Sequence, residues 1–358
     1  MNCPIKERDM KALAGYQDTL MRNPRLRYIF FELTDCCNLR CLHCGSSCDP
    51  RNQSFLPYSV VEKTLRSILR EYDPHSVMVC LTGGEPVLHP DLNKIIRLSH
   101  KLGFPVGMTT NGTLIYEGKA EKLAEAGLDT VAVSIDGTRE IHDIFRCSSG
   151  SFEKAMNGVK ALQRYGIEPQ AITVASKMNL DNLPALGRFL ADEGFYSWRI
   201  TNIDPIGRAD KNRDLLLDRD EMIKLLAFIR EMRYSPDIEM EVTYGCSHFL
   251  SYDFEREVRD FYFQCGAGLL VGSVMANGDI GACLDIERRK ELIQGNACTD
   301  DFLTVWKERF KPFRMNRAEK SDYCAGCKHQ AVCRGDSAHT WDYDKWEPRY
   351  CLFREERA

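Results

Sequence analysis

The stretch "TDCCNLRCLHCGSSC" (34–48) places five cysteines in fifteen positions. Three share a spacing, Cys37-x3-Cys41-x2-Cys44, whereas Cys36 and Cys48 fall outside it and read as bystander thiols. Thiolates so spaced converge on one point. Structural zinc closes its shell with four ligands, and an electron-transfer [4Fe–4S] cluster also takes four cysteines. A set of three suits a cluster with one iron left open for a substrate or cofactor. Cys36 or Cys48 as a fourth ligand would make it a closed zinc or electron-transfer site.

More polar residues of chemical interest follow at intervals: "TGGEP" (82–86), "TTNG" (109–112) and "SIDG" (134–137). Near the C-terminus come Cys265-x12-Gly278-x4-Cys283, then Cys324-x2-Cys327-x5-Cys333, and Cys351. CxxC pairs are common zinc ligands as well as cluster ligands.

These motifs need elements to position them. Short apolar, β-branched runs at 26–34, 76–82, 105–110, 130–136, 170–176 and 198–204 read as strands. Between them, 60–72, 91–103, 151–166 and 182–194 have helical periodicity, with Val61, Leu65, Ile68 and Leu69 on one face. Asp91 and Ser151 are candidate N-caps, and Gly103, Gly166 and Gly194 stand where helices would stop. Six β-α units imply an α/β fold with a parallel sheet, doubly wound or a barrel. The polar motifs gather at the C-terminal strand ends, where such folds carry their sites. After residue 236 the rhythm breaks, and 265–358 reads as a small cysteine-rich domain held together by metal.

The chain has 358 residues with 48 basic against 52 acidic, a formal charge of −4. Without a basic excess, a nucleic-acid partner is not expected. No apolar run reaches the length of a membrane span, and the N-terminus has no secretory h-region. A cytoplasmic protein is expected, in which sixteen cysteines point to metal or catalysis rather than disulfides.

The cysteine loop after the first strand, with "TGGEP" after the second, resembles the radical S-adenosylmethionine (radical SAM) superfamily. The resemblance implies a partial (β/α)6 TIM-like barrel over 25–235, after an N-terminal segment (1–24). It implies a [4Fe–4S] cluster on Cys37, Cys41 and Cys44 whose open iron binds S-adenosylmethionine, cleaved by one electron to a 5′-deoxyadenosyl radical. It also assigns cofactor contacts. His43 would pack near adenine, Gly83 and Gly84 would let backbone approach the ligand, and Glu85 would face the methionine ammonium. Thr110 or Asn111 would meet ribose or carboxylate, Ser134 and Asp136 would line the site, and Arg146 would partner a carboxylate. Asn179, Asn202 and Asp204 are further candidates, with an ordinary loop role as the other reading.

Beyond a bridging region (236–264), residues 265–358 resemble the SPASM domain, which binds auxiliary iron–sulfur clusters. Two fully cysteine-ligated clusters need eight thiolates, and the matching pattern supplies six: Cys265, Cys283, Cys324, Cys327, Cys333 and Cys351. Ser337 stands where the family continues with a cysteine. The last four form a complete set, so one auxiliary cluster is expected and the second is expected to be incomplete or lost. Cys265 and Cys283 would otherwise need Asp336, His339 or Cys246, or would combine with two of the other four.

The "SIDG…HDIFRCSSGSF" stretch resembles the peptide-modifying subgroup. The implied activity is hydrogen abstraction from a peptide or protein, giving a crosslink, thioether, dehydrogenation or epimerisation. A flavodoxin or ferredoxin would supply electrons. Only about 25 residues precede the first strand, so any leader recognition would fall to a separate protein or another surface. Asp285 is the candidate general base, one place later than the aspartate of sulfatase-maturating relatives. Cys246 is the candidate hydrogen donor, which would mean epimerisation. The alternatives are a sugar or aminocyclitol dehydrogenase or dehydratase, and a non-catalytic iron–sulfur or zinc protein.

Overall fold

The computed structural model describes residues 7–353; residues 1–6 and 354–358, the outer ends of the first and last sequence segments, lie outside it. After helix α1 (Glu7–Arg22), strands and helices alternate: β1 (Tyr28–Glu32), α2 (Tyr58–Ile68), β2 (Met78–Thr82), α3 (Leu92–Lys101), β3 (Val106–Thr110), α4 (Glu117–Ala126) and β4 (Thr130–Ser134). Two helices, α5 (Arg139–Phe145) and α6 (Ser151–Arg164), precede β5 (Pro169–Ala175). The series ends with α7 (Leu183–Asp192), β6 (Ser197–Asn202), α8 (Arg219–Tyr234) and β7 (Glu241–Tyr244). β1 to β7 pair in parallel in chain order. This is the partial barrel expected, with a seventh strand where the sequence showed only a bridging region.

Every second residue of a strand packs under the helices and the rest face the lumen, as the two-residue period of a strand requires. In β4, Val131 and Val133 are buried in the core whereas Thr130, Ala132 and Ser134 are half-buried. Val61, Leu65 and Ile68 of α2 join the same core. Gly103, Gly166 and Gly194 have φ of 89°, 75° and 78°, the left-handed stop that glycine adopts without strain. The capping expectation needs correcting at Ser151, which is the first residue of α6. Its hydroxyl donates to Asp143 Oδ1 at 2.8 Å, and Asp143 also accepts from Gly150 N and Phe152 N. A carboxylate from α5 therefore caps α6. Asp91 occupies the N-cap of α3 without a side-chain capping bond.

After α9 (Ser251–Val258), the cysteine-rich region begins by extending the sheet. Strand β8 (Val271–Val274) pairs in parallel with β1, β9 (Asp279–Gly281) runs antiparallel to β8, and β10 (Gly295–Asn296) completes the ten-stranded order. α10 (Phe302–Glu308) places Trp306 against the barrel, where its Nε1 donates to Tyr72 Oη at 3.0 Å. α11 (Gln330–Cys333) and a hairpin of β11 (Trp341–Asp342) and β12 (Glu347–Pro348) follow. α1 docks on this region from the other end of the chain: Gln17 Nε2 donates to Val332 O, and Arg334 Nε donates to Gln17 Oε1. Among the described residues, no helix is long and apolar enough to cross a membrane.

Candidate active site and cluster sites

The cysteine loop leaves the top of β1 and is stitched to the loop after β2. Thr34 O accepts from Gly84 N at 2.6 Å, and Cys36 O accepts from Glu85 N at 2.9 Å. This contact explains Gly84. A Cβ there would lie 2.1 Å from Cys36 O, so no larger residue lets the loops meet. The glycine pair is thus used first against the cysteine loop itself. From the far side of the barrel, Arg208 donates to Cys41 O and Cys48 O, both at 2.7 Å. Nothing in the local sequence marks Arg208, which lies far along the chain. Cys37 and Cys41 are buried, and Cys44 half-buried beside them. Leu39 N and Asn111 Nδ2 lie 3.4 and 3.9 Å from Cys37 Sγ, and Arg146 Nη1 lies 3.6 Å from Cys41 Sγ. Donors aimed at sulfur are what ligating thiolates require. Of the two bystanders, Cys36 is half-buried, whereas Cys48 is buried with its thiol 3.9 Å from Ser46 O, and its nearness holds the Cys44 thiol below its usual range.

Glu85 is 0% exposed. Its carboxylate accepts from Thr110 Oγ1 at 2.7 Å, Asn111 N at 2.8 Å and Val87 N at 3.2 Å. Burial pushes its carboxyl up and the three donors work against that. A buried carboxylate with neutral donors and, among the described residues, no salt-bridging cation fits a ligand ammonium. Thr110 and Asn111, expected at ribose or carboxylate, orient Glu85 through the Thr110 hydroxyl and the Asn111 backbone N–H.

Asp136 and Arg146, both expected at the cofactor, are paired with each other. Arg146 Nε and Nη2 reach Asp136 Oδ2 at 2.6 and 2.5 Å, and Val174 N donates to Asp136 Oδ1. Arg146 therefore already has its carboxylate, and its remaining nitrogen faces Cys41. Asn179 Nδ2 donates to Asp136 O at 2.7 Å, a supporting role. Ser134 ends β4 on the lumen side. His43 stacks on Phe145, with ring centroids 4.3 Å apart and 10° between planes. Burial lowers its imidazole to about 3, so it is neutral, and its Nδ1 has no partner among the described residues. A flat neutral ring with an orphaned buried nitrogen suits an adenine face.

In the C-terminal region Cys324, Cys327, Cys333 and Cys351 line one small cavity with Phe249 and His329. The turn after Cys333 runs through three left-handed residues, Arg334, Gly335 and Asp336 (φ 56°, 88° and 64°). Asp336 is held there because His248 Nδ1 and Phe249 N both lie 2.9 Å from its two oxygens. Cys265 Sγ accepts from Ala338 N at 3.3 Å, and the Cys283 thiol lies 3.8 Å from Asp285 Oδ2.

A buried polar network joins barrel to C-terminal region. Asp204, after β6, meets His339 Nε2 at 3.1 Å and His248 Nε2 at 3.5 Å. Asn202 binds Tyr244 Oη and His248 Nε2. Burial works against charge on both histidines, but the carboxylates outweigh it: His248 is pushed up to about 10 by Asp336 and Asp204, and His339 to about 9 by Asp204. Asn202 and Asp204 thus hold the two regions together.

A model of the radical SAM superfamily matches residues 31–190, and one of the SPASM iron-sulfur cluster-binding domain matches 265–328. The mycofactocin maturase MftC of Mycolicibacterium smegmatis is 30% identical over 313 residues, 85% of this chain and 76% of that protein. The chain belongs to the radical SAM superfamily. The AdoMet-dependent heme synthase of Methanosarcina barkeri is another relative of this radical SAM protein, 28% identical over 92% of this chain and 97% of its own. Streptococcus suis SuiB bound to S-adenosylmethionine shares the fold, with a TM-score of 0.72 at 18% identity over 92% of this chain and 79% of that one.

The cofactors of this radical SAM protein are a [4Fe–4S] cluster with an open iron, S-adenosylmethionine and an auxiliary [4Fe–4S] cluster. The residues present fit them: Cys37, Cys41 and Cys44 would hold the first, Glu85 and His43 would hold the second, and the four-cysteine cavity would hold the third.

Proposed function

We propose that this radical SAM protein abstracts hydrogen from carbon in a peptide or protein substrate, producing a crosslink, thioether, dehydrogenated or epimerised residue. The bound cofactors supply the radical, by one-electron reductive cleavage of S-adenosylmethionine to 5′-deoxyadenosyl. The chain's residues orient and enclose. Glu85 fixes the ammonium end, the His43–Phe145 stack offers the adenine surface, and the Asp136–Arg146 pair holds the cysteine loop from behind. Asp285, exposed beside Cys283, is the candidate base for a substrate proton, and a flavodoxin or ferredoxin the electron donor.

The lining of the lumen carries this reading. Thr82, Thr109, Ser134, Thr201 and Thr243 are half-buried lumen positions, short and uncharged. Arg199 is the only basic residue in strands β1–β8 among the described residues. Such a lining suits amide groups and small side chains. The likeness to a mycofactocin maturase supports it.

A second reading, a tetrapyrrole substrate, is favoured by the heme synthase similarity, which spans nearly both chains. A macrocycle with several carboxylate arms would ask for more cations than the single arginine these strands supply. The two readings separate by mass spectrometry. Anaerobic enzyme with S-adenosylmethionine and dithionite is given either a short peptide encoded beside its gene or iron coproporphyrin III. A mass change on the peptide, matched by 5′-deoxyadenosine, is the expected result. A change on the porphyrin and none on the peptide would overturn the peptide reading.

A further inference from the structure

Glu32, Asp136 and Asp204, carboxylates at strand ends, are each matched with a cation of the chain. Glu32 is bound by Arg288 and accepts from Ala276 N at 3.1 Å. Asp136 is paired with Arg146, and Asp204 with His339. Glu85, after β2, meets only neutral donors, which leaves it for the ammonium of the cofactor.

The lumen also holds one unmatched cation. Arg199 lies in the middle of β6 between Trp198 and Ile200, both 0% exposed and packed in the core under the helices. Alternation along the strand turns Arg199 the other way, into the barrel, where it is half-buried. The parallel register sets it in one row with Ile172 of β5, Ser134 of β4 and Thr243 of β7, none of them charged. Among the described residues it makes no hydrogen bond and no ion pair. Glu241, two positions before Thr243 on β7, is exposed and forms no pair with it. The charge stays within the lumen: burial raises the thiols of Cys80, on β2, and Cys246, after β7, and Arg199 works against the rise in both.

A half-buried guanidinium with five N–H donors and no acceptor is left short of a partner. In the sheet order β2 and β6 stand four strands apart, so Arg199 rises from the wall opposite Glu85. The cofactor's ammonium belongs to one wall, and the free cation stands on the other, across the space left for substrate.

We propose that Arg199 is a specificity-determining residue that grips one carboxylate of the substrate and so turns the neighbouring carbon toward the cofactor. Its planar fork matches a carboxylate through two parallel hydrogen bonds. A peptide offers this group as an acidic side chain or as its free C-terminus. For the choice of substrate the inference rests on the peptide reading, but the anion site itself does not.

Two measurements test it. The first needs no substrate. Phenylglyoxal, which attacks guanidinium groups, is applied to the anaerobic holoenzyme with S-adenosylmethionine bound, and labelled arginines are located by mass spectrometry. Acetate should protect Arg199, whereas acetamide at matched ionic strength should not, and the exposed Arg97 of α3 should label alike in both. Arg199 unlabelled throughout, or labelled equally with acetate and acetamide, would overturn the proposal.

The second uses the peptide, with its acidic side chains and then its C-terminus changed to amides one at a time. With wild-type enzyme one of these amides should raise KM by about tenfold or more, and its position tells which carboxylate is held. Arg199→Gln should show the raised KM with every peptide and lose the distinction between acid and amide. Arg199→Lys, which keeps the charge without the fork, should recover part of it. The full amide penalty persisting in Arg199→Gln would count against the assignment. So would weaker S-adenosylmethionine binding by that variant in calorimetry, since Arg199 would then serve the cofactor. If the wild type modifies no peptide while acetate still protects Arg199, the peptide reading falls and the carboxylate site stands.

Discussion

The Thr110 hydroxyl donates to the buried Glu85 carboxylate at 2.7 Å. It is one of three donors that favour the ionised form of Glu85 while burial works against it. Thr110→Val keeps the shape and deletes the donor, at a cost of about 1–3 kcal/mol to the ionised form. If Glu85 meets the methionine ammonium, calorimetry on the anaerobic holoenzyme will show S-adenosylmethionine binding at least roughly fivefold weaker. Unchanged affinity would remove Glu85 from the ligand contact.

Gly84→Ala tests the seam between the two loops. Its new methyl would meet Cys36 O at 2.1 Å, and the obstacle is backbone, which cannot swing aside. The cysteine loop should be displaced, so reconstituted protein should lose about four irons while keeping its auxiliary clusters. Full iron content would show that the loop can move.

Arg146 supports Asp136 on one side and faces Cys41 on the other. Arg146→Met leaves a buried carboxylate without its cation, which should lower unfolding free energy by about 3–5 kcal/mol. Denaturant titration of the apoprotein measures it. Arg146→Lys should recover part of the stability. Either change removes an N–H donor from the Cys41 sulfur, and the potential of that cluster should become more negative. An unaltered potential would leave Arg146 with a structural role only.

The histidines between barrel and C-terminal region predict a pH dependence. Folded His339 and His248 lie at about 9 and about 10, above the ordinary 6.5. A raised value means the folded state binds the proton more tightly, so the stabilisation is complete below about pH 6.5. It is lost progressively as pH rises through the folded values. Melting temperature should therefore fall between roughly pH 6.5 and 10. Asp204→Asn should flatten this slope and lower stability by about 3–5 kcal/mol, since it strips a carboxylate from two buried imidazoles. A wild-type melting temperature level across this range would contradict the charged pairing.

The barrel was readable because its signals are local. Alternating burial in β4 and β5, left-handed glycines after α3, α6 and α7, and polar residues at strand ends are written within a few positions of each other. Strand β7 escaped because "EVTY" is four residues long, one of its side chains charged and exposed, and lies after the rhythm had broken. Ser151 was misplaced by one residue because its cap comes from Asp143, on another helix.

By itself the sequence determined the reactive set: three cysteines at one spacing, a glycine pair before a glutamate, and a second group of cysteines short of eight. Those are covalent facts of order and type. What each group faces was decided only in three dimensions. The Thr110 hydroxyl and the Asn111 N–H turned to Glu85, Arg146 to Asp136, and Arg208 reached the cysteine loop from 160 or more residues away. Arg259 reached back from α9 to the carbonyls of Gly245, Ser247 and His248. A hydrogen bond or ion pair depends on distance in space, and separation along the chain places no limit on it once the sheet has brought its strand ends together.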